Sequence, residues 1–182
     1  APLALARRMR ALEPSATLAM AARAQALAAA GVDVIDLSVG EPDFPTPQHV
    51  CRAAEEAIRA GRTKYTPAAG IPALRKAVAE DYARRSGLEV SAAQVVVSSG
   101  AKHALHNAFT ALLDEGDEVI VPAPYWVSYA ELVKLAGGRP VILETRLEDD
   151  FKLRPEALRE ALTPATRALL LCSPSNPTGV VY

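Results

Sequence analysis

Ala168–Leu169–Leu170–Leu171–Cys172–Ser173–Pro174–Ser175–Asn176–Pro177–Thr178–Gly179 reads as a buried strand running straight into a rigid loop. A short, wholly apolar run is the pattern of a parallel strand covered on both faces. Pro174 and Pro177 fix φ on either side of Asn176, and neither can donate to a sheet ladder. Thr178 and Gly179 supply a turn, so the loop presents one amide side chain at the carboxyl end of a strand. Ligands of open α/β sheets bind at such strand ends. Taken alone, the stretch is equally a proline-rich loop that only stops a strand.

Upstream the same alternation repeats. Residues 94–98, 118–121, 140–144 and 167–172 predict strands, and residues 102–113, 125–136 and 155–162 predict the helices between them. Short β-rich runs alternating with helices argue an α/β fold, a mostly parallel sheet with flanking helices. The chain before residue 94 is more helical and loop-rich. Ser15 is placed to cap a helix over 16–30 that Gly31 closes. A short strand is predicted at 32–38, then an amphipathic helix at 48–60 ended by Gly61. A further helix at 71–86 has Pro72 in its first turn and Gly87 at its end. Loops fall at 40–47 and 62–70. This N-terminal helical and loop segment is expected to pack beside the sheet rather than form a domain of its own.

Composition narrows the partners. The 182 residues are 50% hydrophobic and 23% charged with a net charge of −1, a globular balance with no bias toward nucleic acid or a membrane surface. No apolar run approaches the roughly 20 residues of a membrane span, and residues 1–10 lack the apolar core of a secretory signal. Cytoplasm is the expected location. Cys51 and Cys172 have no C-x-x-C spacing and are expected to be reduced core thiols. His103 and His106 lie three apart on a helical stripe, but no partner stands at zinc spacing, so no metal site is expected.

Three places carry candidate chemistry. Val95–Val96–Val97–Ser98–Ser99–Gly100–Ala101–Lys102 passes from a β-rich run through small residues into a helix. A helix start offers N–H groups and the positive end of the dipole, which together make an anion cradle, most simply for a phosphate. It is neither a P-loop nor G-x-G-x-x-G, and an ordinary strand-to-helix turn is its plain alternative. Trp126 follows a predicted strand end and offers a flat face for stacking on a planar ring. Tyr65, in a loop rich in Pro and Gly, carries a hydroxyl that can donate to a phosphate. No G-x-S-x-G nucleophile elbow is present. An anion cradle, an aromatic plate and an amide suit a phosphorylated planar cofactor better than a bare sugar phosphate.

The chain resembles the fold-type-I pyridoxal-phosphate aminotransferases, in the class I branch containing prokaryotic aspartate aminotransferases. The stretches that carry the resemblance are residues 37–44 (LSVGEPDF), 64–75 (KYTPAAGIPALR), 98–105 (SSGAKHAL), 124–129 (PYWVSY) and 173–179 (SPSNPTG). Each is weak singly, whereas five in the family's order are specific. The resemblance implies that pyridoxal 5′-phosphate is held by backbone donors at Gly100, Ala101 and Lys102. It implies that Trp126 stacks on the cofactor ring and that Asn176 bonds the ring's oxygen substituent, both also near substrate. Gly40 would meet the substrate carboxylate through its backbone. Tyr65 would reach the cofactor phosphate of a neighbouring subunit in a homodimer with shared sites. Lys102 and Thr17 match positions associated with acidic substrates, where a cation favours a side-chain carboxylate.

The same resemblance implies transamination between an amino acid, aspartate or glutamate, and a 2-oxo acid. A lyase or synthase of the same fold, and a non-catalytic fragment, are the alternatives. In the family, the lysine that bonds the cofactor as a Schiff base and the acidic partner of its ring nitrogen follow the Asn-Pro loop. The five lysines here, Lys64, Lys76, Lys102, Lys134 and Lys152, all precede it. The expectation is therefore an N-terminal part without a catalytic residue of its own, inactive alone. Residues 1–45 would be an arm and part of the small domain, and residues 46–182 the first part of an incomplete cofactor-binding large domain.

Overall fold

The computed structural model describes residues 4–182, so residues 1–3 of the expected arm lie outside the described residues. The helices are α1 (Arg7–Arg10), α2 (Ala16–Ala29), α3 (Gln48–Arg59), α4 (Pro72–Ser86), α5 (Ala101–Leu112), α6 (Ser128–Leu135) and α7 (Pro155–Ala161). The strands are β1 (Glu118–Ala123), β2 (Arg139–Glu144) and β3 (Thr166–Leu169). Contacts divide the chain into two units, Ala1–Val39 with Leu105–Tyr182, and Gly40–Ala104.

The first unit is built on β1. It lies between β2 and β3 in the order β2-β1-β3, and both pairings are parallel. Val119, Ile120 and Val121 have no exposed surface. Alternation sends Val119 and Val121 to one face, where they join Phe109, Leu113, Tyr129, Leu132 and Val133 in the core. Ile120 fills the other face. A strand covered on both faces tolerates no polar side chain in its middle, which is why 118–121 reads as one apolar run after a single carboxylate. The helices α6 and α7 are the crossovers that two parallel pairings require. The expected α/β arrangement, a parallel sheet with flanking helices, is present.

Polar groups close the amino-terminal end of this sheet. Glu118, 4% exposed, pairs with Arg139 at the start of β2 and accepts the Thr163 hydroxyl at 2.8 Å. Asp117 accepts the Asp114 N–H at 2.9 Å and pairs with Arg167 of β3 at 3.0 Å. The Asp114 N–H, helped by the Arg167 guanidinium and opposed by burial, holds the Asp117 carboxyl below its ordinary value. Two adjacent carboxylates thus tie the starts of all three strands together.

In the second unit α4 begins with Pro72 and ends at Gly87, whose φ of +73° is the left-handed C-cap that a residue without Cβ adopts most easily. It packs on a 3₁₀ turn at Ala92–Gln94, where Ser91 and Gln94 form a capping box. Ala79 on α4 is buried.

Several expectations are corrected. Residues 94–98 are not a strand. After the 3₁₀ turn the backbone turns extended at Val95, and the Val97 N–H bonds the Ala69 carbonyl, a loop partner, at 3.0 Å. Residues 32–38 are not a strand either; Ile35 and Leu37 are 87% and 90% exposed, and the Asp36 carboxylate accepts the N–H and hydroxyl of Ser38. β-rich composition gives a strand only where another strand supplies partners. The helix expected from residue 125 begins at Ser128, because Pro122 and Pro124 carry the extended backbone past Ala123. The strand expected at 167–172 is Thr166–Leu169, although the Leu170 N–H still bonds the Ile120 carbonyl. Cys51 is an exposed free thiol rather than a core one, and Cys172 is half-buried and free.

Amide hydrogen exchange separates the two kinds of β-rich run. Residues 119–121 are expected to exchange at least about tenfold more slowly than 95–98, since core ladder bonds open only with large-scale unfolding. Equal protection of the two segments would contradict this assignment.

Candidate functional site

Within the second unit, Gly100, Ala101 and Lys102 form the entry to α5. The first bond inside the helix runs from the Ala104 N–H to the Gly100 carbonyl at 3.1 Å. The N–H groups of Ala101, Lys102 and His103 therefore precede the helix's own acceptors. The Ser99 N–H is turned away from that set, because it donates to His103 Nδ1 at 3.1 Å, and the Gly100 N–H, expected among the phosphate donors, is taken instead by the Ser98 carbonyl at 2.8 Å. Gly100 has a φ of +85°, and a Cβ built there meets nothing within 4 Å. The turn is open on its outer side, and the first turn of α5 carries no acidic residue. These are the properties of an anion cradle.

Tyr65 lies in the loop before α4, fully exposed, and Gly40 is exposed in its own loop. The loop after Tyr65 is fixed to the segment that leads into α5. Besides the Val97 to Ala69 bond, Arg75 Nε donates to the Val95 carbonyl at 2.8 Å.

Within the first unit, a cleft of about 20 Å³ opens beyond the carboxyl ends of β1 and β3, lined by Pro124, Tyr125, Tyr129, Cys172, Asn176 and Tyr182 among others. Asn176 is exposed on a loop that braces itself. The Ser175 N–H bonds the Val180 carbonyl, the Gly179 N–H bonds the Ser175 carbonyl, both at 2.8 Å, and the Tyr182 N–H bonds Ser173 Oγ at 3.1 Å. The Ser173–Pro174, Asn176–Pro177 and Ala123–Pro124 bonds are cis. Trp126 is half-buried against the core and meets Tyr129 edge-on, ring centres 5.5 Å apart and planes at 87°. Thr17 is half-buried in the first turn of α2, which Ser15 caps as expected by accepting the Leu18 N–H.

Tyr129 ends the stretch 124–129 but is given no role by the sequence; it is a buried residue lining this cleft. Burial, reinforced by the neighbouring Cys172 thiol, pushes its phenol up to about 12. Elsewhere in this unit, burial works against the charge on Glu131, yet the Lys134 ammonium and the Glu13 N–H hold its carboxyl below the ordinary range. Tyr125 and Tyr182 also line the cleft; Tyr125 stands in the same singled-out stretch as Tyr129, and Tyr182 in none.

Each unit, taken by itself, carries groups that suit a part of the expected cofactor. In the second unit the α5 entry offers backbone donors and an uncrowded Gly100 for a phosphate; in the first, the strand ends offer an indole and an amide for a planar ring. Among the described residues no group of three or more His, Cys, Asp or Glu side chains is arranged for a metal ion. No described helix is long and apolar enough to cross a membrane.

Comparison with known proteins points to one family. The family model described as aminotransferase class I and II matches residues 32–182. The chain is 56% identical over 178 residues to an aspartate aminotransferase of Geobacillus stearothermophilus, covering 98% of this chain and 45% of that protein. It is 53% identical over 178 residues to an aspartate/prephenate aminotransferase of Thermus thermophilus, covering 98% of this chain and 46% of that one. The solved structure of the Thermus thermophilus aspartate aminotransferase with maleate superposes with a TM-score of 0.95 at 53% identity, over 99% of this chain and 47% of that chain. The chain thus spans about half the length of the relatives it matches.

The Tyr129 shift sets an alkaline limit. A phenol whose folded pKa is about 12, against an ordinary 10, adds stability that is complete below pH 10 and is lost as pH rises toward 12. The melting temperature is expected to fall more steeply from pH 10 to 12 in the wild type than in Tyr129→Phe. Parallel curves would count against the shift.

Proposed function

The chain belongs to the class I and II aminotransferases, and from that premise we propose that it is the N-terminal portion of a pyridoxal-phosphate-dependent aminotransferase acting on aspartate or glutamate and a 2-oxo acid. The observation that carries the reading is its 56% identity, over 98% of its length, to a protein named aspartate aminotransferase. Support for an acidic substrate comes from the relative solved with maleate, itself a dicarboxylate. Prephenate is a further acceptor in view, because several relatives are named aspartate/prephenate aminotransferases.

When bound, pyridoxal phosphate accepts the amino group covalently and draws electrons from the substrate's α-carbon. The residues of this chain position the reactants. The N–H groups at Ala101 and Lys102 hold the phosphate, with Gly100, whose own N–H is taken by the Ser98 carbonyl, forming the open turn before them and the dipole of α5 favouring the charge. Trp126 covers the ring, and its contact with Tyr129 fixes the indole. Asn176 donates its amide to the ring's oxygen substituent, from a loop whose bonds hold it without help from the ligand. Gly40 meets the substrate's α-carboxylate through its backbone, and the Lys102 ammonium, with Thr17, favours the second carboxylate. Tyr65, fully exposed on its loop, serves the phosphate of a neighbouring subunit in a homodimer.

None of the five lysines takes the covalent role, and no catalytic residue is assigned within the chain. That group lies in the part of the protein that follows Tyr182. Residues 1–45 form the arm and part of the small domain, residues 46–182 begin the large domain, and the protein is cytoplasmic.

Two measurements test this. The full-length protein, loaded with pyridoxal phosphate and mixed with aspartate without an acceptor, is expected to convert one cofactor equivalent to the amine form and release one 2-oxo acid. Continuous release of 2-oxo acid with ammonia would assign a lyase instead. The 182-residue chain alone is expected to yield no borohydride-stable adduct at a single lysine, and one stoichiometric adduct at any of the five would overturn the assignment.

A further inference from the structure

Three observations in the second unit converge on one side chain. Arg75, in the first turns of α4, donates from Nε to the Val95 carbonyl at 2.8 Å and is half-buried. Two residues further on, the Val97 N–H donates to the Ala69 carbonyl at 3.0 Å. Between these bonds sits Gly70, at φ +103°. A Cβ there would stand 2.5 Å from Val97 Cγ2 and 3.7 Å from Arg75 Cγ. The loop that carries Tyr65 is therefore pressed against the extended segment that enters the α5 cradle, and Arg75 spans the seam.

Residues 95–98 have the composition of a strand but none of a strand's ladder. The bonds at Val95 and Val97 are what hold this extended segment in place, and one of them comes from a side chain. A carbonyl bonded by a guanidinium is a charge-assisted contact, stronger than a neutral one. Loss of the donor frees both the approach to Gly100 and the base of the Tyr65 loop.

We propose that Arg75 is a positioning residue for cofactor binding, fastening the Tyr65 loop to the α5 entry so that two sets of phosphate donors share one support. This rests on the assignment of Tyr65 and of the α5 entry to the cofactor phosphate. It adds a linkage: the tyrosine that serves the neighbouring subunit and the cradle that serves its own are held by the same guanidinium.

The donor atom makes the test selective. Gln places its amide nitrogen where Arg places Nε, whereas Met fills the same space without a donor. In the full-length protein, Arg75→Met is expected to release pyridoxal phosphate about tenfold faster, the scale set by one charge-assisted bond, while Arg75→Gln stays within about threefold of wild type on the same grounds. In a Tyr65→Phe background, Arg75→Met should add clearly less than its effect in wild type, the remainder being the share carried by the α5 entry, since residues acting through one another are not additive. Hydrogen exchange without cofactor gives an independent readout: residues 66–70 and 95–98 should exchange faster in Arg75→Met and at the wild-type rate in Arg75→Gln. Gly70→Ala, which wedges the same seam from the loop side, should reproduce the Met phenotype if Arg75→Met fails to fold.

Unchanged exchange in Arg75→Met, or equal effects of Gln and Met, would overturn the clamp. Faster exchange with unaltered cofactor release would overturn the positioning role. If Tyr65→Phe alone leaves release unchanged, the assignment of Tyr65 is wrong, and an Arg75→Met effect undiminished in that background would overturn the shared support.

Discussion

The burial of β1 on both faces is the constraint from which the first unit follows. Val119, Ile120 and Val121 are wholly covered, and parallel neighbours take their backbone groups on either side. Such a strand needs helices above and below and crossovers between strands, so α6 and α7 are consequences of it. The carboxylates of Asp117 and Glu118 then give the sheet a polarity. They gather Arg139, Thr163 and Arg167 at the amino-terminal end, whereas the carboxyl ends run into Pro124, Tyr125 and the Asn176 loop.

That polarity separates support from chemistry. At the amino-terminal end the charges are paired and structural. At the carboxyl end the side chains are half-buried or exposed, and the backbone is braced locally, by Ser175, Gly179 and Ser173 around Asn176. The second unit repeats the division on a smaller scale: Gly100 is open on its outer side, while Arg75 and Gly70 fasten the segment behind it. In both units the presented groups are held by bonds that do not depend on a ligand, which is the arrangement that lowers the cost of ordering on binding.

Much of this was legible in the sequence because its signals are local. Ser15, Gly31, Gly61 and Gly87 mark helix ends through capping and left-handed φ, and the runs at 118–121 and 140–144 announce strands through apolar content. The segments 32–38 and 94–98 have similar content and are not strands, since a ladder depends on a partner elsewhere in the chain and not on the segment itself. The same reason hid the supporting residues. Tyr129 and Arg75 look like ordinary helix residues until the fold brings Cys172 to one and the Val95 carbonyl to the other. The Cys51 reading failed because an apolar residue in an amphipathic pattern is buried only if something packs on that face.

The central claim is that the open turn at Gly100 receives the cofactor phosphate, and the dissociation constant of pyridoxal phosphate from full-length protein carrying Gly100→Ala tests it most directly. A methyl group there meets no atom of the chain, so a loss reports on what occupies the open outer side of the turn together with the left-handed φ. Affinity weakened by roughly tenfold or more, about 1.4 kcal/mol, is the predicted result, with the melting temperature of the cofactor-free protein held within a few degrees. Unchanged affinity in a folded variant would contradict the account.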